Sequence, residues 1–176
     1  AIPFNNGYIT LILLGIILGI LGSCFNLALL KMEDFYKRLD FFSIRTKPII
    51  PFIVAGFVGL LFPIAIGSGF KMVEYLSSTS TIKFLLVALL IKYVFSLICL
   101  GSDTPGGIFF PSLIIGAVIG SVFGYFMIKN VIFEMSFFNN FIILGMAGYI
   151  SAVLRAPITG IVLILEMTGA TTDFLS

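Results

Sequence analysis

The residues best suited to chemistry are Gly106-Gly107-Ile108-Phe109-Phe110-Pro111. They stand between a breaker, Gly101-Ser102-Asp103-Thr104-Pro105, and an uncharged apolar run that reaches Ile128. Two glycines let the backbone turn and come close to a ligand. A helix that begins here presents N–H groups with no intrahelical acceptor. Its dipole adds about half a positive charge at the same end. Backbone alone then makes an anion site, built from Gly106, Gly107, Ile108 and Phe109. Partial charges hold an anion weakly enough to let it leave, which suits a conduction path better than a full charge. The side chains of Ile108 and Phe109 would keep water away, and Pro111 loses no hydrogen bond in a first turn. A plain capped helix start after a turn fits the same spacing.

Other reactive types are sparse. His is absent, and with it the commonest metal ligand and the ordinary base for a Ser or Cys nucleophile. Apart from the adjacent Glu33 and Asp34 the acids are scattered singly, so no enzyme chemistry, no metal site and no cofactor are expected. Cys24 and Cys99 lie inside apolar runs and are expected to pack as small hydrophobes. Arg155 and Glu166 fall in short apolar segments. Glu166 is read as a structural carboxylate accepting hydrogen bonds from nearby backbone, in preference to a proton carrier. Asp103 is unhelpful to an anion if it faces one; facing solvent or capping the coming helix is the favoured reading. Lys83, Lys92 and Lys129 are placed towards the ends of apolar runs, with their ammonium groups reaching back to water.

The elements that must position these residues belong to a membrane. The chain has 176 residues, 60% of them hydrophobic and 10% charged, with a mean hydropathy of +1.21. A soluble domain is about 45–50% apolar and about 25% charged. The net charge of +2 leaves no basic surplus for nucleic acid. From Ile49 to Phe70 and from Pro105 to Ile128 there is no charged residue at all. Tyr8 to Leu30 is a first apolar run, and Gly15-xxx-Gly19 within it is read as a smooth strip for close helix packing. It continues into a charged end, Lys31 to Arg38, and a polar loop from Leu39 to Lys47. Pro48 and Pro51 open a second run, Ile49 to Ile66, which Pro63 and Gly67-Ser68-Gly69 end. Phe70 to Leu76 is at most a short helix, Ser77 to Ser80 a turn, and Thr81 an N-cap. Ile82 to Leu100 and Ile108 to Ile128 are long enough to cross a hydrocarbon core of about 30 Å. After a loop from Lys129 to Asn140, two short helices follow, Asn140 to Leu154 and Pro157 to Thr168, split by Arg155-Ala156-Pro157. Broken helices survive in lipid only where protein or a water-filled cavity covers the break, and in transporters such breaks mark the substrate site. No segment recurs within the chain. Five basic residues between positions 31 and 47, against three acidic ones, place that loop in the cytoplasm by the positive-inside rule.

Three stretches carry a resemblance. Pro105-Gly106-Gly107-Ile108-Phe109-Phe110-Pro111 resembles the GxFxP signature of the CLC family of chloride channels and proton-coupled chloride antiporters. Gly107, Phe109 and Pro111 stand at its fixed letters. Leu154-Arg155-Ala156-Pro157-Ile158-Thr159-Gly160, continuing to Leu165-Glu166-Met167-Thr168, resembles the family's RAPLTG…LEMT segment. Gly67-Ser68-Gly69-Phe70 resembles its glycine-rich break before a short helix. Order and separation agree over essentially the whole chain.

The resemblance implies an all-α integral membrane fold of tilted and broken transmembrane helices, one incomplete half of an inverted repeat. Residues 1–176 are then part of a CLC transmembrane domain, its C-terminal half without the last helices. The implied activity is transmembrane chloride transport, by channel or by proton-coupled antiporter, with chloride held by the amides of Ile108 and Phe109. Implied partners are chloride, protons in an antiporter, the lipid bilayer of the cell (inner) membrane and a second subunit. Tyr8 to Leu30 and Pro157 to Thr168 look like parts of that homodimer face. The family places the loop 31–47 outside the cell, against the positive-inside count, and the resemblance is preferred. The family's first-half motifs GSGIP and GK/REGP do not occur here, so this chain alone is expected not to form a complete pore. Asp103 departs from the small residue the family has in this turn. Channel against antiporter, and chloride against fluoride or nitrate, stay open, and a non-conducting CLC-like membrane subunit is the alternative.

Overall fold

A computed structural model of the chain describes residues 7–38, 48–61, 82–102, 107–129 and 137–168. Among them are six α-helices: α1 (Gly7–Arg38), α2 (Ile49–Leu61), α3 (Ile82–Gly101), α4 (Phe109–Lys129), α5 (Phe138–Leu154) and α6 (Pro157–Thr168). The break at Gly67-Ser68-Gly69, the short piece from Phe70 to Leu76, the turn at Ser77 to Ser80, Thr81, Asp103 and Gly106 lie outside the described residues.

Three helices are long and apolar enough to cross a membrane: Tyr8–Arg38, Lys83–Gly101 and Phe109–Lys129. The others are apolar but shorter. At about 1.5 Å per residue the 21 residues of α4 cover roughly 32 Å, one hydrocarbon core. The outer surface carries Ile12, Ile16 and Ile20 of α1, Phe52 and Phe57 of α2 and Leu86 and Leu90 of α3, all exposed. Lipid accepts such a surface and water does not. The protein is an integral membrane protein.

The elements start where the local chemistry allows. Pro51 sits in the first turn of α2, where a missing N–H is harmless, and the Phe52 amide bonds the Pro48 carbonyl at 3.3 Å. Pro157 opens α6 in the same way. α5 begins two residues before the expected Asn140, at Phe138, after Phe137 without any side-chain cap. Packing supplies what capping does not, since Phe137 and Phe138 both lie against the two cores.

α4 is the centre of the described structure. Every residue from Ser112 to Ser121 is buried. One side, with Leu113, Ile114, Ala117 and Val118, packs with Leu85 and Ala88 of α3 and with Ile142, Met146 and Ile150 of α5. The other, with Ile115, Ile119 and Phe123, packs with Leu14, Leu18 and Phe25 of α1 and with Phe141 and Tyr149 of α5. α5 runs antiparallel to α4, Gly116 lying beside Gly145 and Gly120 beside Phe141. α1 runs parallel to α5, Leu18 facing Gly148, Gly22 facing Ala152, and Asn26 Nδ2 donating to the Val153 carbonyl at 3.0 Å.

One expectation is corrected, at Lys92, and the Gly15-xxx-Gly19 strip meets no partner within the described structure. Gly15 and Gly19 pack against nothing in the described structure, where a Cβ at either would meet no atom within 4 Å. The inward face of α1 is instead the row Leu14, Leu18, Gly22 and Phe25, turned away from those two glycines. Lys92 is not at a run end. It stands near the middle of α3 with 3% of its surface exposed. It shares the inward face of that helix with Leu85, Ala88 and Ser96, so its spacing binds it to the core.

Candidate anion-binding site

The start of α4 combines a fixed backbone with an uncharged surround. The Ser112 amide bonds the Ile108 carbonyl at 3.2 Å, and Ser112 Oγ bonds the same oxygen at 2.7 Å. Ile108 is therefore the hinge residue whose carbonyl closes the first turn. Pro111 stands in that turn, where its ring fixes φ and no N–H is lost. The first N–H groups of a helix have no intrahelical acceptor, and Ile108 and Phe109 stand at this position. Among the described residues neither has a backbone acceptor.

The two side chains are anchored in different places. Ile108 packs against the core shared with α1, and Phe109 against the core shared with α3 and α6. Their half-buried positions hold the peptide planes while leaving the amides at the helix head. Phe109 and Phe110 meet edge to face, with ring centroids 5.4 Å apart. Gly107 is exposed, and among the described residues a Cβ there would meet nothing within 4 Å. Its φ is outside the left-handed range, so its contribution is open space before the helix rather than an unusual turn.

The electrostatics come from the backbone. No Lys or Arg occurs between Tyr93 and Ile128, and the one charged residue in that interval is Asp103, outside the described residues. The helix head thus offers free N–H groups and a partial positive charge without a full cation beside it in sequence. Of the four expected site residues, Gly107, Ile108 and Phe109 are contiguous at this head, and Gly106 is outside the described residues.

The second break is a tight turn held by local hydrogen bonds. Arg155 adopts a left-handed conformation, φ 55° and ψ 31°, and its amide bonds the Ser151 carbonyl. The Ala156 amide bonds the same carbonyl at 3.2 Å, and the Gly160 amide bonds the Ala156 carbonyl at 3.0 Å. Ser151 Oγ donates to the Ala147 carbonyl at 2.7 Å and lies 3.3 Å from the Pro157 carbonyl. The amides of Ile158 and Thr159, at the head of α6, have no backbone acceptor among the described residues either. Arg155 and Glu166 are exposed in the described structure, and neither joins the α4 head. No group of three potential metal ligands occurs among the described residues.

Sequence reasoning passed over Gly116, Gly120 and Gly124, whose four-residue spacing was the available signal. A Cβ at Gly116 would stand 2.5 Å from the Gly145 carbonyl oxygen and 2.8 Å from Tyr149 Cβ. A Cβ at Gly120 would fall on the Phe141 carbonyl. These glycines bring α5 against α4 and so hold the helix that carries the site.

Comparison with known proteins agrees with this architecture. The family model described as voltage gated chloride channel matches residues 4–175. The chain is 35% identical over 170 residues to the H(+)/Cl(-) exchange transporter ClcA of Klebsiella pneumoniae (strain 342), covering 94% of this chain and 36% of that protein. It is 36% identical over 172 residues to the ClcA exchange transporter of Salmonella typhi, with the same coverage of each. The crystal structure of a slow cyanobacterial Cl-/H+ antiporter superposes with a TM-score of 0.78 at 27% identity, over 95% of this chain and 39% of that one. The chain thus spans about a third of the length of the relatives it matches. Matched over nearly all its residues, the chain belongs to the voltage-gated chloride channel family.

Proposed function

We propose that the protein to which this chain contributes transports chloride across the membrane, and that chloride rests on the amides of Ile108 and Phe109. The observation that carries the reading is the head of α4. It is a fixed helix start whose first amides lack a backbone acceptor among the described residues, and it is anchored by two apolar cores. Such a site attracts an anion through partial charges and releases it readily. Gly107 leaves room for the ion, and Gly106 extends the same peptide run. Ile108 and Phe109 strip water from it, which strengthens each N–H contact.

Exchange of chloride for protons is the form of transport favoured here, because the relatives are named as exchange transporters and the structural neighbour as an antiporter. Residues 1–176 act in this reading as part of a transmembrane domain in the lipid bilayer of the cell's inner membrane, within a homodimer of full-length subunits. The exposed apolar rows of α1 and α6 suit that dimer face.

The test uses the full-length protein in liposomes loaded with chloride, recording chloride efflux and external pH together. Exchange gives proton movement in fixed ratio to chloride. Chloride movement with a flat pH trace makes the protein a passive channel. Absence of chloride movement, with an intact protein, leaves a non-conducting subunit or a different anion, which fluoride in place of chloride separates.

A further inference from the structure

Ser112 stands in the first turn of α4 and is 1% exposed. Both of its donors go to one acceptor. Its amide bonds the Ile108 carbonyl at 3.2 Å, and its hydroxyl donates to the same oxygen at 2.7 Å. Pro111, the residue before it, has no N–H to give, so the first turn relies on Ser112. The hydroxyl occupies the second lone pair of the Ile108 oxygen.

The Ile108 carbonyl and the Phe109 N–H are the two ends of one peptide group. That group is planar and trans, so its C=O and N–H point in opposite directions. A carbonyl held by two donors fixes the plane, and with it the direction of the Phe109 N–H. A donor on the carbonyl also draws electron density from the amide nitrogen and makes its N–H a stronger donor. Such cooperative strengthening is about 10–30% per bond. The buried surround of Ser112, from Leu113 to Ile119, is apolar and does not screen it.

Other serines of the bundle bond in the same local way, which by itself satisfies a hydroxyl. Ser121 Oγ donates to the Val118 carbonyl at 2.8 Å, and Ser151 Oγ to the Ala147 carbonyl at 2.7 Å. The difference lies at the far end of the peptide. For those two serines the N–H is that of Ile119 or Gly148, inside a helix and taken by its ladder. For Ser112 it is the Phe109 N–H, which has no backbone acceptor among the described residues.

We infer that Ser112 is a positioning residue for the anion: through the Ile108–Phe109 peptide, its hydroxyl orients and strengthens the Phe109 N–H. The inference rests on the reading that this N–H holds chloride.

The test is chloride titration calorimetry on the full-length protein. Ser112→Ala removes the hydroxyl, keeps the backbone amide and introduces a good helix former, so the variant folds. Its chloride affinity is expected to fall by about 2- to 5-fold. Ser112→Thr and Ser112→Val add similar volume, one with a hydroxyl able to bond the same carbonyl and one without. Ser112→Thr is expected to bind chloride more tightly than Ser112→Val, whatever the added methyl costs both. An ester in place of the Phe109 amide gives the readout that a merely structural serine would not move. With that N–H gone, Ser112→Ala is expected to weaken chloride binding no further. Unchanged affinity in Ser112→Ala, or an equal loss with and without the Phe109 N–H, overturns the inference and leaves the chloride reading standing. If the unaltered protein binds no chloride, or the ester alone leaves affinity unchanged, the chloride reading fails and the inference fails with it.

Discussion

Two helices carry glycines at four-residue spacing, and the chain uses them in opposite ways. Gly116, Gly120 and Gly124 of α4 lie against α5 so closely that a single added carbon would strike its backbone or the Phe141 side chain. Gly15 and Gly19 of α1 meet no neighbour among the described residues. The spacing is the same, but the neighbours are not. α4 is enclosed by α1, α3 and α5, so its smooth side must be filled by backbone. α1 lies at the edge and turns Leu14, Leu18, Gly22 and Phe25 inwards. Small-xxx-small spacing therefore marks a helix able to be approached, and tertiary position decides whether it is.

Substitutions along these strips grade that contrast. Gly120→Ala is the most damaging: its Cβ falls on the Phe141 carbonyl and close to Gly145, and neither is a flexible side chain. A loss of about 3 kcal/mol is expected, read as a lowered unfolding midpoint of the full-length protein in detergent. A variant as stable as the parent would show that α4 and α5 do not pack in this register. Gly22→Ala comes next, since its Cβ would lie 2.6 Å from Ala152 Cβ, at the crossing that Asn26 pins. About 2 kcal/mol is expected, and restoring stability with Ala152→Gly in the double variant would tie the cost to that contact. Gly148→Ala is milder. Its close neighbour among the described residues is Leu18, nearest at Cδ1, 2.6 Å away, which can rotate aside. The same unfolding assay should show a loss below about 1 kcal/mol. Gly15→Ala is the smallest change and has the opposite sign, a gain of up to about 1 kcal/mol from better helix propensity. A large loss there instead would reveal that a surface outside this chain seats on the outer strip of α1.

Much of this was legible beforehand. The apolar runs, with Pro48, Pro51 and Pro157 at their starts, marked the helices to within a few residues, because proline and glycine restrict the backbone locally. The glycine pair followed by an uncharged run marked the head of α4 for the same reason. The side of each helix that faces protein was not legible. In a membrane both the lipid-facing and the protein-facing residues are apolar, so the amphipathic stripe that orients a soluble helix is missing. Gly15 and Gly19 thus looked like a packing strip, and Gly116, Gly120 and Gly124 drew no notice. Lys92 looked like an edge residue because a charge in an apolar run usually escapes to water; only its shared face with Leu85, Ala88 and Ser96 shows it enclosed.

The two breaks extend the comparison to function. Both Arg155-Ala156-Pro157 and the head of α4 lead into a helix whose first amides lack a backbone acceptor among the described residues, but the first stands beside the exposed Arg155 and the second has no Lys or Arg beside it in sequence. The central claim is that the Ile108 and Phe109 amides hold the anion, and replacing one amide by an ester tests it directly. In the full-length protein, an ester at position 109 removes the Phe109 N–H and keeps its side chain. Chloride affinity, measured by titration calorimetry, should weaken by about 10- to 100-fold, the loss of one hydrogen bond to a charged group. An unchanged affinity, with the protein folded, would contradict the account and place the anion elsewhere.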